Sequence, residues 1–159
     1  TALGYRSDVT LDARYREPLL GWRPPTPEQI AWAETIQADP DSAPVRVTSV
    51  AYADRILKLA EYPETGEVPV QTMRIGDVCI GTMPCEVFAE IGLEFKRRSP
   101  IKPSFMIELA HGYYGYLPTP RHFDLGGYET WIGTNRLEKE ASTKLMSNLL
   151  EMAEEMKKP

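Results

Sequence analysis

The chain has 159 residues, with 18 Lys and Arg against 23 Asp and Glu, so its formal net charge is −5. An acidic chain without a basic stripe is a poor partner for phosphate backbones, which argues against nucleic acid binding. No apolar run approaches the roughly 20 residues that a transmembrane segment needs. With 42% hydrophobic and 26% charged residues, the composition is typical of a globular domain.

Residues 1–64 form a helical, proline-rich portion. Alternating polar and apolar side chains over residues 7–16 predict a strand, and a proline-stiffened connector follows from Pro18 to Pro27. Thr26-Pro27-Glu28-Gln29 matches a capping box, which predicts a helix start there. A second helix is predicted from about Thr48 to Tyr62. This portion carries no motif with evident chemistry.

Residues 65–159 carry the motifs. Two strand-like runs, Val68–Ile75 and Val78–Met83, flank Gly76-Asp77 and predict a β-hairpin. The second run is nearly all apolar, which predicts a strand inside the sheet. Downstream we expect a helix that begins at about Glu86, a strand over Ser104–Ala110 and a long amphipathic helix over about Glu138–Lys157. Alternating strands and helices predict an α/β fold, a mixed sheet with helices packed on it.

Glu86 is the first candidate for chemistry, because it follows a predicted interior strand. Open α/β sheets place ligand sites at the carboxyl ends of their strands. A carboxylate there can serve as a metal ligand or as a general base. It can equally complement the positive end of a helix, and the residues alone leave both interpretations open.

Three tyrosines, Tyr113, Tyr114 and Tyr116, stand in a loop between glycines and prolines. Tyrosine combines an apolar ring with a polar tip, so this pattern predicts an aromatic surface or pocket. The alternative is a rigid loop whose hydroxyl groups bond to the backbone.

Cys85 and His111 suggest a thiol nucleophile with its base. No local signature supports that pair, and a small buried thiol is the simpler interpretation. The two histidines also lack the spacing of a helical zinc pair.

The run from Met73 to about Leu150 resembles the neutral/alkaline (non-lysosomal) ceramidase family, in particular its shorter bacterial members. Three segments carry the resemblance: the strand end Pro84-Cys85-Glu86, the stretch Ala110–Pro120, and Gly127-Tyr128-Glu129-Thr130. The resemblance implies a zinc-dependent amidohydrolase that cleaves a small-molecule or lipid-like N-acyl amide. In that family two histidines, a glutamate and a tyrosine hold the zinc. By position, Glu86 and Tyr116 match two of these ligands, and Tyr128 matches a tyrosine that contacts the reacting group.

This chain has no histidine before His111, whereas the family's histidine ligands lie upstream of the glutamate. The resemblance therefore implies that both belong to a missing N-terminal half. Residues 1–159 would then be one compact unit, the C-terminal half of a larger catalytic domain, inactive alone and without bound zinc. The family resemblance also implies an exported protein. The alternative, from a different functional class, is a non-catalytic binding domain with a tyrosine-rich ligand surface.

Overall fold

The computed structural model describes residues 5, 7–43 and 45–157, which divide into two compact units. The first unit contains the chain up to Pro18, Val68–Tyr113 and the chain from Thr143 onwards. The second unit contains Leu19–Glu67 and Tyr114–Ser142. Each unit is therefore assembled from segments that are distant in the sequence.

The secondary structure confirms the predicted α/β class. In chain order, the strands are β1 (Leu11–Arg16), β2 (Leu19–Gly21), β3 (Thr65–Glu67), β4 (Val70–Ile75), β5 (Val78–Thr82), β6 (Glu86–Val87), β7 (Ser104–Ile107) and β8 (Tyr116–Leu117). The α-helices are α1 (Pro27–Ala38), α2 (Arg46–Ala60), α3 (Ala89–Arg98), α4 (Pro120–Leu125) and α5 (Ala141–Lys157). Short 3₁₀ turns occupy Pro40–Ser42 and Tyr128–Thr130. None of the helices in the described ranges is long and apolar enough to cross a membrane.

A mixed four-stranded sheet with the order β1-β4-β5-β7 forms the centre of the first unit. β4 pairs antiparallel with both β1 and β5, whereas β5 and β7 are parallel. The predicted hairpin is confirmed, and Gly76 adopts a φ of +59° at its turn. The interior position predicted for the second hairpin strand is also confirmed.

Helices α3 and α5 pack on one face of this sheet at Gly81. A Cβ added to Gly81 would lie 2.9 Å from the ring of Phe95 on α3 and 3.2 Å from Leu149 on α5. Thr72, on the neighbouring strand, is buried on the same face and donates to the carbonyl of Leu149 (3.2 Å). The predicted apolar stripe of α5 is buried, as expected: Ala141, Leu145, Leu149, Met152 and Met156.

The opposite face of the sheet carries exposed apolar side chains around the buried Ile80. Strand alternation and the pairing register place Leu11 beside Ile75, and Phe105 beside Ile80, on this face. Its outer side chains are 39–72% exposed: Leu11, Tyr15, Ile75, Phe105 and Ile107. This sheet is thus covered by helices on one side.

Helices α1 and α2 supply most of the core of the second unit. The buried cluster consists of Ala33, Ile36, Ala53, Ile56, Leu59 and Ile132. The capping box at the start of α1 is confirmed, because Thr26 and Gln29 exchange both hydrogen bonds (2.9 and 3.3 Å). The small sheet formed by β2 and β3 was not predicted, because three-residue strands are too short to show a period.

Two helix starts differ from the prediction. α3 begins at Ala89, because the Val87 N–H donates to the Glu108 carboxylate (2.8 Å) and the chain stays extended through Phe88. α5 begins at Ala141, because Glu138 exchanges hydrogen bonds with the backbone of Gly21. Glu86 therefore lies in a short strand before the helix.

The close contact at Gly81 predicts a stability effect. We expect Gly81→Ala to lower the free energy of unfolding by about 1–3 kcal/mol, because the added methyl overpacks the site beside Phe95. In a Phe95→Leu background, Gly81→Ala should lower the free energy of unfolding by less than half as much. Urea denaturation of the four proteins of a double-mutant cycle measures this difference.

The control is Gly92→Ala on α3, where nothing lies within 4 Å of the added carbon. It should stabilise the protein by roughly 0.5–1 kcal/mol. Equal costs of Gly81→Ala in both backgrounds would show that Phe95 is not the source of the penalty.

Candidate functional site

Glu86 lies at the carboxyl end of the interior strand β5, as predicted. Beyond the last paired residues of β5 and β7, the two segments stay joined, since the Leu109 N–H donates to the Cys85 carbonyl (3.1 Å). The Tyr113 hydroxyl donates to Oε1 of Glu86 (3.0 Å). Tyr113 and Glu86 both belong to the first unit, so this contact orients the carboxylate from within one body.

Tyr116 is held through its backbone in the second unit. Its N–H donates to the Thr134 carbonyl (3.0 Å), and its own carbonyl accepts from the buried Asn135 amide (3.1 Å). The preceding Gly115 has a φ of +81°, and a side chain there would run into the Thr134 carbonyl. The position of Tyr116 therefore depends on a glycine before it.

Tyr128 joins Tyr116 in an aromatic cluster of the second unit. The two rings meet edge-to-face with centroids 5.9 Å apart. Tyr128 also contacts Trp131 (5.6 Å), and Trp131 contacts Tyr52 (5.7 Å). Burial raises the pKa of Tyr52, and the neighbouring Tyr128 hydroxyl adds to the rise. Tyr128 is 47% exposed.

Tyr116 and Tyr128, two of the three predicted site residues, pack against each other. Tyr116 and Tyr128 share the second unit, and Glu86 belongs to the first. Within the described ranges, no group of three or more His, Cys, Asp or Glu side chains is placed to hold a metal ion. A glutamate and a tyrosine are a partial donor set, and zinc sites have four ligands or three with a water.

The loop tyrosines do not share one set of contacts. Tyr113 contacts Glu86, whereas the Tyr114 hydroxyl donates to the Glu67 carbonyl (3.2 Å). The Tyr114 ring stacks on Trp22 at 5.7 Å with an interplanar angle of 8°. The rigid-loop interpretation fits Tyr114, and the aromatic-pocket interpretation fits Tyr116.

The thiol interpretation receives no support. Cys85 is fully buried, and neither cysteine forms a disulfide. Nε2 of His111 lies 3.2 Å from Oε1 of Gln71, and its ring packs edge-on to Tyr15. An inaccessible sulfur cannot attack a substrate.

A cavity of about 570 Å³ opens in the second unit beside the aromatic cluster. Its aromatic walls are Trp32, Tyr52 and Trp131, and its polar wall includes Arg23. Sequence analysis missed this cavity, because its residues come from α1, α2 and the segment around Trp131. Trp32 on α1 is 40% exposed and lines the cavity.

Two solved structures share this architecture. A neutral ceramidase from Pseudomonas aeruginosa matches with a TM-score of 0.58 and 16% sequence identity, over 91% of this chain and 28% of that one. A ceramidase complexed with C2 matches with a TM-score of 0.51 and 20% identity, over 60% of this chain and 15% of that one. The chain has the fold of part of a neutral ceramidase. It spans less than a third of either matched chain.

The predicted ceramidase resemblance is thus confirmed for the fold. No protein-family model matches the sequence, and no curated protein does.

The role of Gly115 in positioning Tyr116 can be tested by measuring the stability of glycine variants. We expect Gly115→Ala to destabilise the chain far more than Gly126→Ala, as measured by urea denaturation. Both glycines have a positive φ (+81° and +76°), so alanine at either position would carry about 1–3 kcal/mol of backbone strain. Only Gly115 also faces a backbone carbonyl, whereas nothing lies within 4 Å of an added carbon at Gly126. Similar losses for both variants would contradict the close-approach argument.

Thiol reactivity tests the cysteine interpretation. We expect iodoacetamide at neutral pH to leave both cysteines unmodified in the folded chain and to modify both in urea. Both thiols are fully buried, and burial raises the pKa of the Cys79 thiol. In a Cys79→Ala variant, any modification by iodoacetamide is assigned to Cys85. Rapid labelling of Cys85 in the folded Cys79→Ala variant would restore it as a nucleophile.

Proposed function

We propose that this chain is part of a zinc-dependent amidohydrolase that cleaves an N-acyl amide of a small or lipid-like molecule. The observation that carries the proposal is the ceramidase fold, which extends over 91% of this chain. The ordered series Glu86, Tyr116 and Tyr128 supports it, because two of these residues pack together in one unit.

Glu86 and Tyr116 would each give one zinc ligand, and Tyr128 would contact the reacting amide. Tyr113 binds one carboxylate oxygen of Glu86, and Oε2 makes no hydrogen bond to the residues that the structure describes. A carboxylate oriented through one oxygen can ligate a metal through the other. When bound, zinc lowers the pKa of its water to about 7 and polarises the amide oxygen.

Further polypeptide is needed to complete this site. We propose that an N-terminal half of the parent protein supplies the two histidine ligands and covers the exposed face of the first unit's sheet. The apolar side chains on that face support this, since a large exposed apolar surface marks a protein contact. The length of the matched ceramidase chain, of which this chain covers 28%, leaves ample polypeptide for that role. Alone, the chain would be inactive and without zinc.

We also propose that the parent protein is exported, in keeping with its resemblance to the ceramidase family.

Metal content tests the assignment of half a site. We expect the 159-residue chain, stripped and then refilled with zinc, to hold close to zero zinc per chain by elemental analysis. Two ligands cannot retain the ion through a desalting step, because stable sites need three or four. A value near one zinc per chain would mean that other residues complete a local site, and the proposed half-site would be wrong.

The same residues can be tested in the longer parent protein. Glu86→Ala and Tyr116→Phe should each weaken zinc binding at least tenfold, because each removes a ligand, and hydrolysis of N-acyl amides should fall with it. Glu94→Ala is the matched control, since Glu94 is an exposed carboxylate of α3 paired with Arg98. Zinc content unchanged by Glu86→Ala would refute the ligand assignment.

A further inference from the structure

The cavity in the second unit has the dimensions and walls of a small-molecule site. Its volume of about 570 Å³ lies within the range of about 300–1,000 Å³ that such sites occupy. The Trp32 and Trp131 rings that line it remain 40% and 52% exposed. Indole rings left open beside a concave surface offer a large apolar contact area to a ligand.

Arg23 gives this cavity its charge, because none of the other described residues that line it is charged. Nη1 of Arg23 donates to the Thr130 carbonyl and to Oδ1 of Asn135 (3.4 Å), and the guanidinium lies 5.3 Å over the Phe123 ring. Within the described ranges, no carboxylate pairs with Arg23, and its Nε and Nη2 donors make no hydrogen bond. A half-buried guanidinium is normally paired with an anion.

The surroundings of the cavity also favour a negative charge. Burial raises the pKa of Tyr52, so its phenol stays neutral at physiological pH and does not repel an anion. The Arg55 guanidinium lies 5.3 Å from the centroid of the Tyr52 ring, which lines the cavity.

We propose that this cavity binds an amphipathic carboxylate. The planar carboxylate matches the fork of unused Arg23 donors, and the apolar body of the ligand packs against Trp32 and Trp131. Arg23 is the one cation among the described lining residues, which suits a ligand with a single negative charge. This inference does not depend on the proposed hydrolase activity, because it uses only cavity residues and their charges.

Three probes with the same chain test the proposal on this protein: octanoate, 1-octanol and octylammonium. Isothermal titration calorimetry below micelle-forming concentrations should show octanoate binding at least about tenfold more tightly than octanol, and octylammonium more weakly still. Equal affinities for octanoate and octylammonium, or no binding of octanoate, would overturn the proposal. This comparison needs no variant, so it holds even if substitutions disturb folding.

Two variants test which residues contact the carboxylate and the apolar body of the ligand. Arg23→Gln should remove the difference between octanoate and octanol, whereas Arg97→Gln, the same charge change on the exposed surface of α3, should preserve it. Trp32→Leu should weaken octanoate and octanol by similar factors, because it removes apolar contact without changing charge. Octanoate binding that survives Arg23→Gln with its preference intact would place the carboxylate elsewhere and contradict the assignment.

Discussion

The parallel pairing of β5 with β7 is the constraint on which the first unit's part of the site depends. A parallel pair ends both strands at the same edge of the sheet, so the segments that leave it emerge side by side. Here the pairing continues past the strands through the bond from Leu109 to Cys85. Glu86 follows one segment and Tyr113 follows the other, which is why their side chains meet. The buried contact of Gly81 with Phe95 fixes the strand from which this edge is built.

In the second unit, aromatic side chains from distant parts of the chain meet in one cluster. Gly115 lets its backbone approach the Thr134 carbonyl, and the buried Asn135 amide then holds the Tyr116 carbonyl. That turn brings Tyr116 beside Tyr128 although twelve residues separate them. A phenol has an unperturbed pKa of about 10 and is a poor ligand unless a cation stabilises its anion, so a tyrosine in a metal site has to be placed by such a scaffold.

Local patterns predicted much of this structure, and long-range contacts account for what they missed. The capping box at Thr26 and the glycine turn at Gly76 are local, and both were predicted from a few adjacent residues. The start of α3 was placed too early, because Glu108, 21 residues downstream, binds the Val87 N–H. For the site, the sequence indicated Glu86 by its position after an apolar strand and Tyr128 by the ceramidase resemblance. The cavity around Arg23 left no sequence signal, because its walls come from three separate segments.

Trp131 belongs both to the cavity and to the aromatic cluster that contains Tyr128. Its indole lines the cavity, and the same ring meets the edge of Tyr128 at 5.6 Å. An apolar ligand that packs against the indole must either fit its present orientation or turn it, and a turned ring would lose its edge-to-face contact with Tyr128. Such contacts contribute about 0.5–1.5 kcal/mol each, enough to shift a side chain between rotamers. An apolar ligand in the cavity would therefore act on Tyr128 through the packing of Trp131.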